Sequence, residues 1–124
     1  MAAPNIVNVT SIYGKTVFDA DISTGDDALL TNAASSNKVL KVNTLTIANI
    51  DGSNSATITV TIKNVAGTAQ GYLAYTVTVP ADSTFVAISK DAPIYLEEDR
   101  VLHVDASTAG DLSAVCSYEE LDDA

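Results

Sequence analysis

His103 is the only histidine and Cys116 the only cysteine in the sequence. A Ser-His-Asp or Cys-His arrangement would therefore have to run through His103. His103 alternates with Leu102 and Val104, whereas Cys116 shares its phase with Leu112, Ala114 and Tyr118. If both segments are strands, His103 points away from the core and Cys116 into it, so nucleophile and base cannot meet. A lone buried cysteine behaves as a small hydrophobe. Asp19, Asp21, Asp26 and Asp27, with Ser23 and Gly25 among them, begin like a calcium loop. That loop needs glycine at its sixth position and glutamate at its twelfth; counted from Asp19, Gly25 is seventh and Leu30 twelfth. A solvated acidic loop is expected, with calcium binding as the alternative. Glu97, Glu98 and Asp99 are neighbours at a turn, while glycoside hydrolysis needs two carboxylates opposed across about 5 to 10 Å. No Gly-rich phosphate loop and no Cys/His metal spacing is present. No catalytic residue, cofactor or metal ligand is assigned, and the protein is expected not to be an enzyme.

The five tyrosines are the remaining candidates, as a sugar- or peptide-binding platform. Tyr75 and Tyr118 share the apolar phase of their segments and are expected in the core. Tyr13, Tyr72 and Tyr95 are expected at interfaces, where aromatic side chains are enriched.

The elements that must carry these residues are strands. The chain holds 13 Val, 9 Ile and 14 Thr, β-branched residues suited to a pleated surface. In Ala56–Lys63 every even position is apolar and every odd one polar, a period-two pattern that no helix produces. Similar alternation runs through 72–79, 101–106 and 112–119. Within 38–50, Leu40 and Val42 set one phase and Leu45 and Ile47 the other. Either this strand is buried on both faces or a bulge near Asn43-Thr44 resets it, and the bulge is the favoured reading. Turn formers at Asp51–Asn54, Val65–Gly71, Pro80–Ser83, Glu97–Arg100 and Thr108–Asp111 separate the segments. Strands are expected near 5–10, 16–22, 28–32, 38–50, 55–64, 72–79, 84–89, 101–106 and 112–119, those near 16–22 and 28–32 being the weakest. Ile94–Leu96 reads as a short edge piece. Together they predict an all-β fold, a single antiparallel β-sandwich of about eight strands, jelly-roll or immunoglobulin-like. Residues 1–13 read as an extended arm and 119–124 as an acidic tail in solvent.

A chain of 124 residues suits one domain of about 100 to 200 residues. Its formal charge is −10, from 16 acidic and 6 basic residues. Nucleic-acid binding is disfavoured, because phosphates need clustered Lys and Arg, and an anionic membrane surface would repel the chain. The start lacks the basic and apolar regions of a signal peptide, no stretch reaches the roughly 20 apolar residues of a membrane span, and one cysteine allows no intrachain disulfide.

Several phrases together are familiar. They are Pro4–Thr10 with Gly14-Lys15-Thr16, Leu45–Gly52, Val79-Pro80-Ala81, Ile88-Ser89-Lys90, Ile94–Glu98 and Ser117–Glu120. In these the chain resembles small virion structural proteins of tailed bacteriophages, especially those infecting marine bacteria and cyanobacteria. The resemblance covers nearly the whole chain and marks strand ends and turns, with no catalytic motif. It implies a virion component assembled in the host cytoplasm. The first expectation is a capsid decoration (cement) protein bound to the major capsid protein or other virion proteins, with a trimer or another symmetric homo-oligomer as its state. A neck, tail or head-fibre component is the alternative, and a carbohydrate- or calcium-binding adhesion module a further one. Contacts are expected at Ile6, Val7, Val9, Ile12 and Tyr13 in the arm, and at Tyr72 and Tyr95.

Overall fold

The computed structural model describes residues 5 to 122. Among them there is no helix, and nine strands form: β1 (Ser11–Asp19), β2 (Asp27–Asn32), β3 (Lys38–Asn49), β4 (Ala56–Lys63), β5 (Ala69–Val79), β6 (Thr84–Ile88), β7 (Ile94–Leu96), β8 (Arg100–Ala106) and β9 (Leu112–Asp122). They make two antiparallel sheets. One runs β1-β9-β3, with β6 and β7 sharing the far side of β3; the other runs β2-β8-β4-β5. The pairing is nested. β1 pairs with β9, β2 with β8, β3 with β6 and β7, and β4 with β5.

The alternating residues form the core between the layers. Leu40, Val42, Leu45, Ile47, Leu112, Ala114 and Cys116 from one sheet meet Leu30, Ile58, Val60, Leu102 and Val104 from the other. Each large aliphatic side chain removed from water there contributes roughly 1.5–3 kcal/mol. The protein is an all-β sandwich, as the alternation predicts. The bulge expected in β3 is also present. Val42 pairs with Tyr118 and Thr44 with Ser117, so Asn43 is the extra residue and the phase flips there. A second shift, between Ala28 and Leu30, turns both Leu29 and Leu30 inward.

Two buried asparagines tie the layers together. Asn32 in β2 donates through Nδ2 to the carbonyls of Lys38 (3.0 Å) and Leu96 (2.9 Å) in the opposite sheet, and its Oδ1 accepts from Ser36 Oγ at 2.5 Å. Asn49 in β3 donates to the carbonyls of Asn54 (3.0 Å) and Val79 (2.9 Å), and Asp51 N–H donates to its Oδ1 at 2.9 Å.

The ends depart from expectation. No strand forms at 5–10; a turn does, with Asn8 N–H donating to the Asn5 carbonyl at 3.0 Å. Thr10 N–H donates to the Asp122 carbonyl at 3.0 Å, and Ser11, Ile12 and Tyr13 are the first rungs of β1 against β9. Residues 10–13 of the expected arm are therefore held against the sheet, because the end of β9 offers them a partner strand. The acidic end is likewise no solvated tail as far as Asp122. Glu119 and Glu120 lie in β9 opposite lysines: Lys15 Nζ is 3.3 Å and Lys38 Nζ 3.5 Å from Glu120, and Lys41 Nζ is 3.9 Å from Glu119. Leu121 between them and Asp122 is buried. Residues 1–4 of the expected arm and 123–124 of the tail lie outside the described residues.

Candidate functional site

The outer face of the β2-β8-β4-β5 sheet carries the polar phase of β4. Thr59 pairs with Asp105, and Thr61 with His103 on one side and Tyr72 on the other. Beside them β5 shifts register three times against β4, at Ile58/Val60, Val60/Thr61 and Ile62/Lys63. Tyr72 and Tyr75 are three residues apart, which in a regular strand puts them on opposite faces. The bulges bring both outward, with ring centroids 5.2 Å apart at 83°. Tyr75 is 67% exposed, so its expected place in the core is corrected. Ala74 is buried in its stead, opposite Val60. Thr76 completes the bulge at φ 49°, a left-handed conformation that β-branched residues rarely adopt. Its N–H donates to Thr59 Oγ1 at 3.1 Å.

These residues enclose an open groove of about 300 Å³, floored by Thr59, Thr61 and Lys63 and walled by Tyr72, Tyr75 and Asp105. Asp26, at the end of the acidic loop, bonds Lys63 and lies 3.4 Å from His103 Nδ1. Burial raises the Asp105 carboxyl above its ordinary range, the negative charge of Asp26 adds to this, and Lys63 opposes it.

The acidic loop closes on itself. Ser23 donates through both N–H and Oγ to Asp27, Asp21 N–H donates to Asp19 Oδ1 at 3.2 Å, and Gly110 N–H donates to Asp21 Oδ1 at 2.7 Å. Burial and a hydrogen bond with Asp27 push Asp19 up to about 6, and the same bond holds Asp27 low. Its oxygens are engaged by the chain, and among the described residues no group of three or more His, Cys, Asp or Glu is placed to hold a metal. His103 lies on the outer face of its sheet beside Asp26, whereas Cys116 is fully buried in the core, where desolvation pushes its thiol up to about 12. Glu98 and Asp99 serve the turn, accepting from the backbone N–H of Asn37 (2.8 Å) and Val65 (3.1 Å).

The other sheet presents a different outer surface. Three adjacent rungs cross it: Thr16–Ser117–Thr44, Phe18–Val115–Thr46–Val86, and Ser113–Ala48–Thr84. None of these ten residues is charged and none is buried, with Phe18 at 68%, Val86 at 53% and Val115 at 44% exposure. Of the expected contact residues, Ile12 and Tyr95 lie on this same face, Tyr95 opposite Lys41 in β7 and Ile12 opposite Leu121. Tyr13 follows the opposite phase of β1, Tyr72 belongs to the other sheet, and Ile6, Val7 and Val9 precede β1 with Val9 half-buried. The expected contacts are thus not one patch. Val115 was legible as outward, out of phase with Ala114 and Cys116. Phe18 and Val86 went unread as surface, since their neighbours Val17, Phe85 and Ala87 are only partly buried against the core. Thr59, Thr61 and Lys63 were legible as an outer face but not as a floor.

Compared with known proteins, the chain matches no family model and no curated protein.

Proposed function

We propose that this chain is a structural protein of a tailed-phage virion, a capsid decoration protein that binds the shell through the outer face of the β1-β9-β3-β6 sheet. The observation that carries the reading is the uncharged ten-residue surface on a chain of charge −10. A solvated face of so acidic a protein has no need of Phe18, Val115 and Val86 in one row, whereas a contact surface does. A stable contact takes about 800 Å² from each partner, and Tyr95 and Ile12, on the same face at and beyond the Lys41–Glu119 rung, extend the surface toward that size. The nested pairing supports a jelly roll, since such a fold is a long antiparallel hairpin rolled into two sheets, and jelly rolls serve as capsid and lectin domains. The phage-like phrases point the same way. A trimer or another symmetric assembly on the shell belongs to this reading.

Co-sedimentation with expanded capsids tests it. The unaltered protein is expected to pellet with the shells, and Val115→Lys or Phe18→Glu to stay in the supernatant at unchanged melting temperature. Equal pelleting of the charged variants would refute the face, and counting copies in purified virions separates shell from neck, tail or fibre.

A further inference from the structure

We propose that the groove on the opposite sheet binds a neutral carbohydrate, a hexopyranose ring packed against the Tyr72–Tyr75 pair with its hydroxyls on Thr59, Thr61, Lys63 and Asp105. The proposal does not rest on shell binding, because the two surfaces lie on opposite layers of the sandwich. Its volume of about 300 Å³ is at the small end for ligand sites, room for a ring or two rather than a folded partner.

The chemistry of the lining selects among ligands. Lys63 is already bonded to Asp26, and Asp105 stands beside it, so a phosphate or other anion would meet more negative than positive charge. A metal ion would meet the Lys63 ammonium and too few carboxylates. An apolar ligand would leave the threonine hydroxyls and the ion pair desolvated without partners. A polyhydroxylated ring avoids all three penalties. Its C–H face covers an aromatic ring, and its hydroxyls both donate to carboxylates and accept from hydroxyls and ammonium.

The backbone around the groove is built for this presentation. Only the shifts in β5 put both tyrosines on the outer face, and Thr76 keeps a left-handed φ of 49° at the turn of the bulge. Such strain persists where surrounding structure over-determines it and collects at ligand sites. Thr61, although only 4% exposed, lies in the floor, where a bound hydroxyl reaches it.

The test is a titration of the isotope-labelled protein, followed by amide NMR, with maltohexaose, cellohexaose, laminarihexaose and mannohexaose. Hexagalacturonate and choline serve as the anionic and cationic probes. At least one neutral hexamer is expected to shift the amides of Thr59, Thr61, Tyr72 and Tyr75 saturably, with a dissociation constant near millimolar. Tyr75→Ala and Tyr72→Ala, both at exposed rings, are expected to weaken it about three- to tenfold, and Tyr75→Phe to retain it. No groove shift with any neutral hexamer, unchanged affinity in both alanine variants, or preference for either charged probe would overturn the proposal.

Discussion

Asn32 and Asn49 do at single positions what no apolar residue in the core can do. Each amide reaches two carbonyls, both across the gap between sheets for Asn32 and one of them for Asn49, so each specifies how one layer sits on the other. Removing the side chain strands buried carbonyls at about 1–3 kcal/mol apiece. Asn32→Ala and Asn49→Ala are therefore each expected to cost about 2–4 kcal/mol, read as a lower urea midpoint at unchanged slope. Asp19 makes a different kind of prediction. Its folded-state pKa, near 6, lies above the ordinary 3.8, so folding takes up a proton between these values. Its contribution is fully present below about 3.8, and is lost as pH rises through 6. The low-held Asp27 works in the opposite sense, losing its contribution only as pH falls below the ordinary carboxylate range. Between pH 7.5 and 5 the Asp19 effect governs this pair. The melting temperature of the protein is expected to rise over that interval, and to rise less in Asp19→Asn, which keeps a donor toward Asp27 at every pH.

Among the strands, β1 and β5 handle an exposed edge in opposite ways. β1 pairs with β9 over nine rungs without a shift, leaving a straight free edge, whereas β5 is broken three times. Bulges of this sort discourage edge-to-edge pairing, and here they also aim two aromatic rings at one groove. The strain sits at Thr76, since its left-handed backbone is disfavoured for a β-branched side chain. Asparagine tolerates that conformation without the entropic penalty of glycine. Thr76→Asn is expected to raise stability by up to about 1 kcal/mol in urea unfolding, with the backbone bond to Thr59 kept. A loss of stability instead would show that the threonine side chain, and not the backbone, is what the bulge requires.

Taken as a whole, the molecule separates its surfaces by charge. Lys15, Lys38 and Lys41 are drawn to Glu119 and Glu120, pairs whose lysines stay open to water and which contribute little stability, on the order of 1 kcal/mol or less each. Their arrangement matters more, because the charges gather beyond the three neutral rungs. Free copies of net charge −10 repel one another in solution, and the three neutral rungs offer a place where a neighbour can approach without desolvating charge. Phe18→Glu and Val115→Lys put a charge on that face at positions well exposed in the free protein. Their stability is expected to change by no more than about 0.5 kcal/mol in thermal unfolding, while shell binding falls away. A large loss of stability would mean that the row is held down within the monomer.

Local periodicity carried much of this architecture. Alternation in β4, β8 and β9 identified the inward residues, and the phase reversal between Val42 and Leu45 pointed to a bulge near Asn43-Thr44, which the pairing with β9 fixes at Asn43. Both follow from a geometry in which each side chain's face depends on its nearest neighbours along the chain. Tyr75 was misplaced because the shifts in β5 arise from its pairing with β4, a contact that no window of β5 residues contains. The same holds for Glu119–Asp122, which look like a tail until β1 and β3 flank them. It holds also for the row Phe18–Val115–Thr46–Val86, drawn from four strands scattered through the chain. Where a strand runs without a shift, which residues face inward is a local property. Which strands lie side by side, and so which surfaces exist to bind anything, was settled only by the packing of distant segments.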